Sequence, residues 1–282
     1  MTSNDMAATT ATVPAPEAPP AVEIEEIGPA PKSYRLWYIR LASIAFVMLL
    51  WEYGGRQVNP LFMSSPSAIL RAAIGLTQTG ELQRALMESM ITLLIGFVVA
   101  SIFGIVIGLL IGRYRSVEAA TDWIVNALYA TPLVAIVPLV TLWFGLGFEA
   151  KLFIVFQISL FPVLINTAAG VRNVPSSLIE LANSFCANER QIFTKIILPS
   201  ALPYMMTGLR LGIGRALIGM VVAEFFTAIT GLGAMIVKYG NQYDTARMFV
   251  PIIVLMLLGI LLTIGVRHLE DRIAPWKKAR SD

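Results

Sequence analysis

Four stretches of this chain carry no charged residue: 90–112, 123–148, 152–170 and 248–266. At 1.5 Å per helical residue, each is long enough to cross about 30 Å of hydrocarbon. Two further apolar runs, 36–53 and 201–227, are interrupted by a few charges. The pattern predicts an all-α polytopic membrane protein with six transmembrane helices, at about 36–53, 88–112, 120–146, 152–170, 201–227 and 248–267. Trp37, Tyr38, Trp51 and Tyr53 suit the ends of the first. Pro132 and Pro138 predict a kink or a break in the third. Between the first two, Ile69, Leu70, Ala73 and Ile74 recur at helical spacing, predicting an external amphipathic helix within 66–86.

The polar stretch between the fourth and fifth spans, 172–200, has internal structure of its own. Ser177 and Glu180 have the spacing of a capping box, which predicts a helix over 178–185. Asn188 and Gln191 repeat the signal for a second helix over 189–198. Ile192, Phe193, Ile196 and Ile197 give that helix an apolar stripe, and Pro199 and Pro203 are expected to break it before span five. A plain connection is usually short. Two capped helices with an apolar stripe predict a surface that docks another protein.

Composition agrees with the pattern. Of 282 residues, 56% are hydrophobic and 14% charged, where a soluble domain carries about 25% charged residues. The one cysteine, Cys186, excludes an internal disulfide and a cysteine metal cluster, and the one histidine, His268, excludes a histidine-rich site. His268 is expected to serve the end of its helix or the headgroups. There is no P-loop, HExxH or GxSxG, so no catalytic or metal residues are assigned and the chain is not expected to hydrolyse ATP itself. The net charge of +3 points to no nucleic-acid partner. Residues 1–33, rich in Ala, Pro and Thr, predict a disordered tail and not a signal peptide. Residues 34–275 predict a six-span transmembrane domain, and 276–282 a basic tail.

Lys and Arg set the orientation. Lys32, Arg35, Arg40, Arg113, Arg115, Arg172, Arg190, Lys195, Arg267, Arg272, Lys277, Lys278 and Arg280 all fall on one side of a six-span chain. Both termini and the hairpin are therefore expected in the cytoplasm. Inside span five, Arg210 and Arg215 lie about 10 Å and 18 Å from Pro203 along the helix, and Glu224 nears its far end. Buried charges of this kind need a partner or a wet cavity. With Gln157 and Asn166 they are the candidates for a translocation pathway. Gly96, Ala100, Gly104, Gly108 and Gly112, and Gly208, Gly212 and Ala216, recur every four residues and predict close helix packing.

Glu180-Leu-Ala182, then Cys186-Ala187, then Ile197-Leu198-Pro199 resembles the EAA loop of ABC importer permeases, whose pattern is E-A-A, three residues, Gly, nine residues, I-x-L-P. TGLGAMI at 230–236 and WFGLG at 143–147 are similar to the sulfonate, taurine and nitrate branch of that family. Leu181 departs from the alanine that follows the glutamate, and Cys186 from the glycine. If the turn needs positive φ, cysteine there costs about a kcal/mol or more. The resemblance implies a non-enzymatic pore subunit with the ABC importer permease fold, in a bacterial inner membrane, paired as a homodimer. It implies two separate ATP-binding subunits carrying ATP and Mg, no cofactor on this chain, and an extracytoplasmic solute-binding protein delivering a small, anionic solute. Glu180, Ala182, Cys186, Ala187, Leu198 and Pro199 are the implied coupling residues. An ion-gradient-driven secondary transporter is the alternative. It needs a carboxylate relay within the spans, for which Glu224 is the one candidate.

Overall fold

Small residues on the second long helix decide how the molecule packs. In a computed structural model, which describes residues 33–227 and 229–273, the chain forms eleven α-helices and one π-helical turn. The helices are α1 (Ser33–Gln57), α2 (Pro66–Gln78), α3 (Glu81–Arg113), α4 (Arg115–Ala130), α5 (Leu133–Phe144), α6 (Phe148–Arg172), α7 (Ser176–Ser184), α8 (Glu189–Ile192), α9 (Leu198–Thr227), α10 (Leu232–Asn241) and α11 (Thr245–Ile273). Of the expected tails 1–33 and 276–282, residues 1–32 and 276–282 lie outside the described residues, and Ser33 begins α1. Residues 33–47, the start of α1, form one unit, and the rest of the described chain forms another.

Within the second unit, α6 lies between α3 and α9. The glycine ladder of α3 makes one side of that contact. A Cβ on Gly96 would lie 2.7 Å from Val155, on Gly104 2.9 Å from Val163, and on Gly108 2.6 Å from the Leu164 carbonyl oxygen. On α9, a Cβ on Gly208 would lie 3.1 Å from the Pro162 carbonyl oxygen, and on Gly212 2.9 Å from Val163. The expected small-residue packing is therefore what holds the three helices. With no hydrophobic drive between helices in lipid, such close approach supplies the attraction. Two buried hydroxyls of α6 are satisfied within that helix, which suits a bilayer interior. Ser159 donates to the Val155 carbonyl at 2.5 Å and Thr167 to the Val163 carbonyl at 2.7 Å.

Three helices are long and apolar enough to cross a membrane alone: α3, α6 and α11. Two bent pairs bring the number to five, α4 with α5 at 94° and the helical run Glu189–Thr227 with α10 at 46°. The expected third span, 120–146, is thus two helices. Thr131 precedes Pro132 and is held at ψ 126°, out of the helical region, because the proline ring crowds the residue before it. The first expected span, 36–53, falls in α1, which is 25 residues long, contains Arg40, Glu52 and Arg56, and is not among the five. The segment 66–86 is α2 followed by the first turns of α3, divided at Gly80, whose φ is +76°. Ser65 caps α2, with Pro66 at its first position. Ile69 and Leu76 are buried while Leu70 and Ile74 stay exposed.

Substituting Gly108→Leu forces a side chain into the Leu164 backbone. The cost exceeds the 1–3 kcal/mol usual for overpacking, because a carbonyl on a packed helix cannot yield. Folded yield and detergent melting temperature are expected to collapse, while Gly54→Leu, where a Cβ meets nothing within 4 Å, leaves both near wild type.

Candidate functional site

Past the end of α6 the chain folds into the hairpin that the polar stretch predicts. The start of its first helix differs from expectation. Pro175, fixed at φ −57°, precedes α7, and no side chain caps it. Ser177 therefore lies inside the first turn, and the expected Ser177–Glu180 box does not form. The end of α7 is a Schellman turn. The Ala187 amide donates to the Ala182 carbonyl at 3.0 Å and the Cys186 amide to the Asn183 carbonyl at 2.9 Å. Cys186 takes the left-handed position, φ +54°, where glycine is free and an L side chain is strained. The positive φ expected for this turn is present, and the motif glycine has a physical reason. Cys186 is exposed, not buried as a small apolar residue would be expected to be.

The second half begins as expected and ends otherwise. Asn188 accepts from the Gln191 amide at 2.8 Å, and Gln191 accepts from the Asn188 amide at 2.9 Å, a complete capping box. After the four residues of α8 the helix widens into a π turn, Phe193–Ile197, in which the Leu198 amide reaches the Phe193 carbonyl. It then continues as α9. Pro199 and Pro203 do not break the run. Proline lacks an N–H and its ring collides with the carbonyl four residues back. A π turn directly before Pro199 changes that register and keeps the axis unbroken. The hairpin's second helix and the long helix are one continuous rod, with Leu198 and Pro199 half-buried at the joint.

The two faces of the hairpin divide sharply. Ala182, Ile192 and Ile197 are buried with Val171, Val174 and Ala201, and Ala187, Phe193 and Ile196 pack against them. The stripe expected to dock a partner is thus the hairpin's own core. Facing outward on α7 and its C-cap are Leu178, Leu181 and Phe185, 41%, 55% and 79% exposed. Their i, i+3, i+7 spacing makes an apolar ridge, and Glu180 is exposed beside it with no ion pair among the described residues. The ridge was missed in the sequence, although its spacing is legible there, and Leu181 is its middle. Two ion pairs anchor the base: Arg113 to Glu189 at 2.8 Å, and Arg172 to Glu118.

The pathway candidates do not form one site. Arg210 pairs with Glu270 of α11. Arg215 is exposed with no ion pair among the described residues. Asn166 donates to the Pro162 carbonyl at 2.8 Å, and Gln157 is half-buried. Glu224 stands 14 residues, about 21 Å, from Arg210 and is fully buried. It accepts from the Ser89 hydroxyl and the Gly233 amide, both at 2.7 Å, while Ser89 accepts from the Leu232 amide at 2.8 Å. A Cβ on Gly231, at φ +103°, would lie 2.0 Å from the Glu224 carboxylate. Glu224 thus clamps the turn from α9 into α10, which contains most of the TGLGAMI stretch. Lys151, 4% exposed, ties the start of α6 to the same turn, its Nζ donating to the Thr230 hydroxyl at 2.7 Å and carbonyl at 3.0 Å. Two adjoining clefts of about 550 and 360 Å³ flank the turn, sharing Glu88, Ile229 and Thr230. His268 bonds the Ile264 carbonyl of its own helix at 2.9 Å. No group of residues fit to hold a metal occurs among the described residues.

Residues 100–275 match the family model described as "Binding-protein-dependent transport system inner membrane component". The chain is 35% identical over 249 residues to a protein of Methanocaldococcus jannaschii assigned as an ABC transporter permease, covering 85% of this chain and 92% of that one. It is 31% identical to the formylaminopyrimidine transport permease protein of Halalkalibacterium halodurans, covering 82% and 93%. It is 29% identical to the taurine transport system permease protein of Escherichia coli, covering 84% and 89%. Among solved structures, an amino acid ABC transporter superposes with a TM-score of 0.54 at 19% identity, covering 71% of this chain and 95% of that one. That likeness is one of fold.

Two substitutions probe this geometry. Cys186→Gly relieves about 1 kcal/mol of left-handed strain, so hydrogen exchange at the Ala187 amide should slow about fivefold, whereas Cys186→Val should speed it. Ser89→Ala leaves the buried Leu232 amide unpaired and Glu224 one donor short, at a cost of about 1–3 kcal/mol. It is expected to lower the melting temperature, and Ser89→Thr to retain most of it.

Proposed function

The chain belongs to the family of binding-protein-dependent transport system inner membrane components, and from that premise we propose that its hairpin is the joint through which ATP-driven motion enters the membrane. Members of this family are multi-pass permease subunits of ABC importers. They do not hydrolyse ATP, and they work with separate ATP-binding subunits and a solute-binding protein. What is specific to this chain rests on one observation. An apolar ridge, Leu178, Leu181 and Phe185, is exposed on a hairpin whose opposite face is a packed core and whose second helix continues into α9.

An exposed ridge on a nine-residue helix fits a groove in a soluble partner. The ridge seats in the ATP-binding subunit, with Glu180 beside it and Cys186 closing the turn. Ala182 and Ala187 keep the two hairpin helices in contact. Leu198 and Pro199 carry displacement into α9. Two copies of the chain pair, each gripped by one ATP-binding subunit. ATP and Mg sit on those partners and not on this chain. The hairpin and both termini lie in the cytoplasm, and α1 makes the sixth crossing. Approach of the two ATP-binding subunits draws the hairpins together, and each α9 follows as a rod and changes which end of the pathway is open.

Relatives of similar identity carry names for taurine and for formylaminopyrimidine transport, so the names alone do not select a solute. Arg215 favours an anion: it is a cation on α9 with no ion pair among the described residues, and a charge within a span belongs against a wet cavity. The proposed solute is a small sulfonate, delivered by the binding protein. Arg210, committed to Glu270, and Glu224, committed to the turn, are structural.

Leu181→Asp tests the joint. A buried hot-spot contact is worth about 2 kcal/mol or more, so copurification of the ATP-binding subunit should fall at least tenfold while the permease still folds. ATP-dependent uptake of taurine by sealed vesicles holding both subunits and the binding protein should be lost with it. Normal copurification overturns the docking role. Uptake that follows an ion gradient without ATP overturns the mechanism.

A further inference from the structure

At the hairpin's end of α3 a cleft of about 410 Å³ opens between that helix and the α8–π segment. Its walls are of two kinds. Val106, Leu110 and Phe193 are apolar, and Arg113, Tyr114 and Arg190 are polar. The two kinds separate along the α3 axis. Val106 and Arg113 are seven residues, about 10 Å, apart. Residues 90–112 carry no charge and Arg113 ends that run, so the guanidinium marks headgroup level and Val106 lies among acyl chains. The cleft is on the outward side of α3. Gly104 and Gly108 face α6, while Val106 and Leu110 are 52% and 47% exposed.

We infer that this cleft binds one anionic phospholipid, its phosphate between Arg113 and Arg190 and an acyl chain along Val106, Leu110 and Phe193. Cationic pockets between spans at a membrane surface recognise such headgroups. Arg113 is held for the task, its guanidinium 5.7 Å from the Tyr114 ring centre. Arg190 is exposed and has no ion pair among the described residues. The one opposing charge is Glu189, exposed and paired with Arg113. An arriving phosphate takes its place, and such an exposed pair is weak enough to yield. The lipid then bridges α3 to the first turn of the rod that becomes α9, so the membrane's anionic lipid content sets how firmly the hairpin is seated. The inference rests on the chain being a membrane permease, and it is independent of the docking role of α7.

Native mass spectrometry of the assembled permease in mild detergent reads this directly, with phosphatidylglycerol and phosphatidylcholine of the same acyl chains as probes. Wild type should retain one phosphatidylglycerol in preference to phosphatidylcholine. Each cation near the surface contributes about fivefold, so Arg190→Gln should weaken retention about fivefold and Arg113→Gln with Arg190→Gln about 25-fold. Glu189→Gln should strengthen it. Leu110→Trp, which fills the apolar floor and leaves the charge alone, should abolish it, and glycerol 3-phosphate or inorganic phosphate in excess should not compete. Equal retention of the two lipids, unchanged retention in Arg190→Gln, unchanged retention in Leu110→Trp, or displacement by free phosphate overturns the inference. Arg190→Gln changes an exposed residue, so it reports even where the double variant does not assemble. None of these readings depends on ATP hydrolysis or docking.

Discussion

The contact between α6 and its two neighbours governs everything else in this molecule. In lipid no hydrophobic force pushes helices together, so attraction comes from backbones close enough for dense van der Waals contact. Gly96, Gly104 and Gly108 bring α3 onto α6, and Gly208 and Gly212 bring α9 onto its other side. That seam fixes where both ends of α6 and α9 emerge. At one end Arg172 hands the chain to the hairpin. At the other, Lys151 and Glu224 hold the turn into α10. A rod anchored along its length transmits a push at one end to the other, because a close-packed seam admits few alternative arrangements.

Polar groups in this setting divide by duty. Glu224, Ser89 and the amides of Leu232 and Gly233 satisfy each other completely, which is why a carboxylate can be fully buried there. Arg210 is bound to Glu270. Arg215 stands outside both arrangements. Of the two arginines of this helix Arg215 alone has no ion pair among the described residues, and the proposal that it faces the solute path rests on that contrast.

Much of this was legible from residue pattern. The apolar runs marked α3, α6, α9 and α11, the four-residue glycine period marked the seam, and Asn188 with Gln191 marked the start of α8. The hairpin as an element, and its likeness to the EAA loop, were readable too. The remainder was hidden for physical reasons. Pro199 and Pro203 read as breakers because sequence does not reveal a π turn that absorbs the first of them. Pro175, not Ser177, starts α7, since two start signals two residues apart compete and the ring's fixed φ prevailed. The Ile192–Ile197 stripe read as a docking face because periodicity marks an apolar face without saying what covers it. The bond of Lys151 to Thr230 joins residues 79 apart in the chain, a distance no local pattern spans.

The central claim is that hairpin and α9 move as one when the ATP-binding subunits close. Cys186, the chain's one cysteine, is exposed at the tip of the hairpin, so a spin label placed there needs no other substitution. Pulsed electron resonance then measures the distance between the two labels in the assembled importer, with and without trapped ATP. The account predicts a shorter distance in the ATP-trapped state, accompanied by a matching displacement of a second label pair on the exposed face of α9 at Ile218. An unchanged Cys186 distance during ATP turnover, or a hairpin that moves while α9 does not, would contradict it.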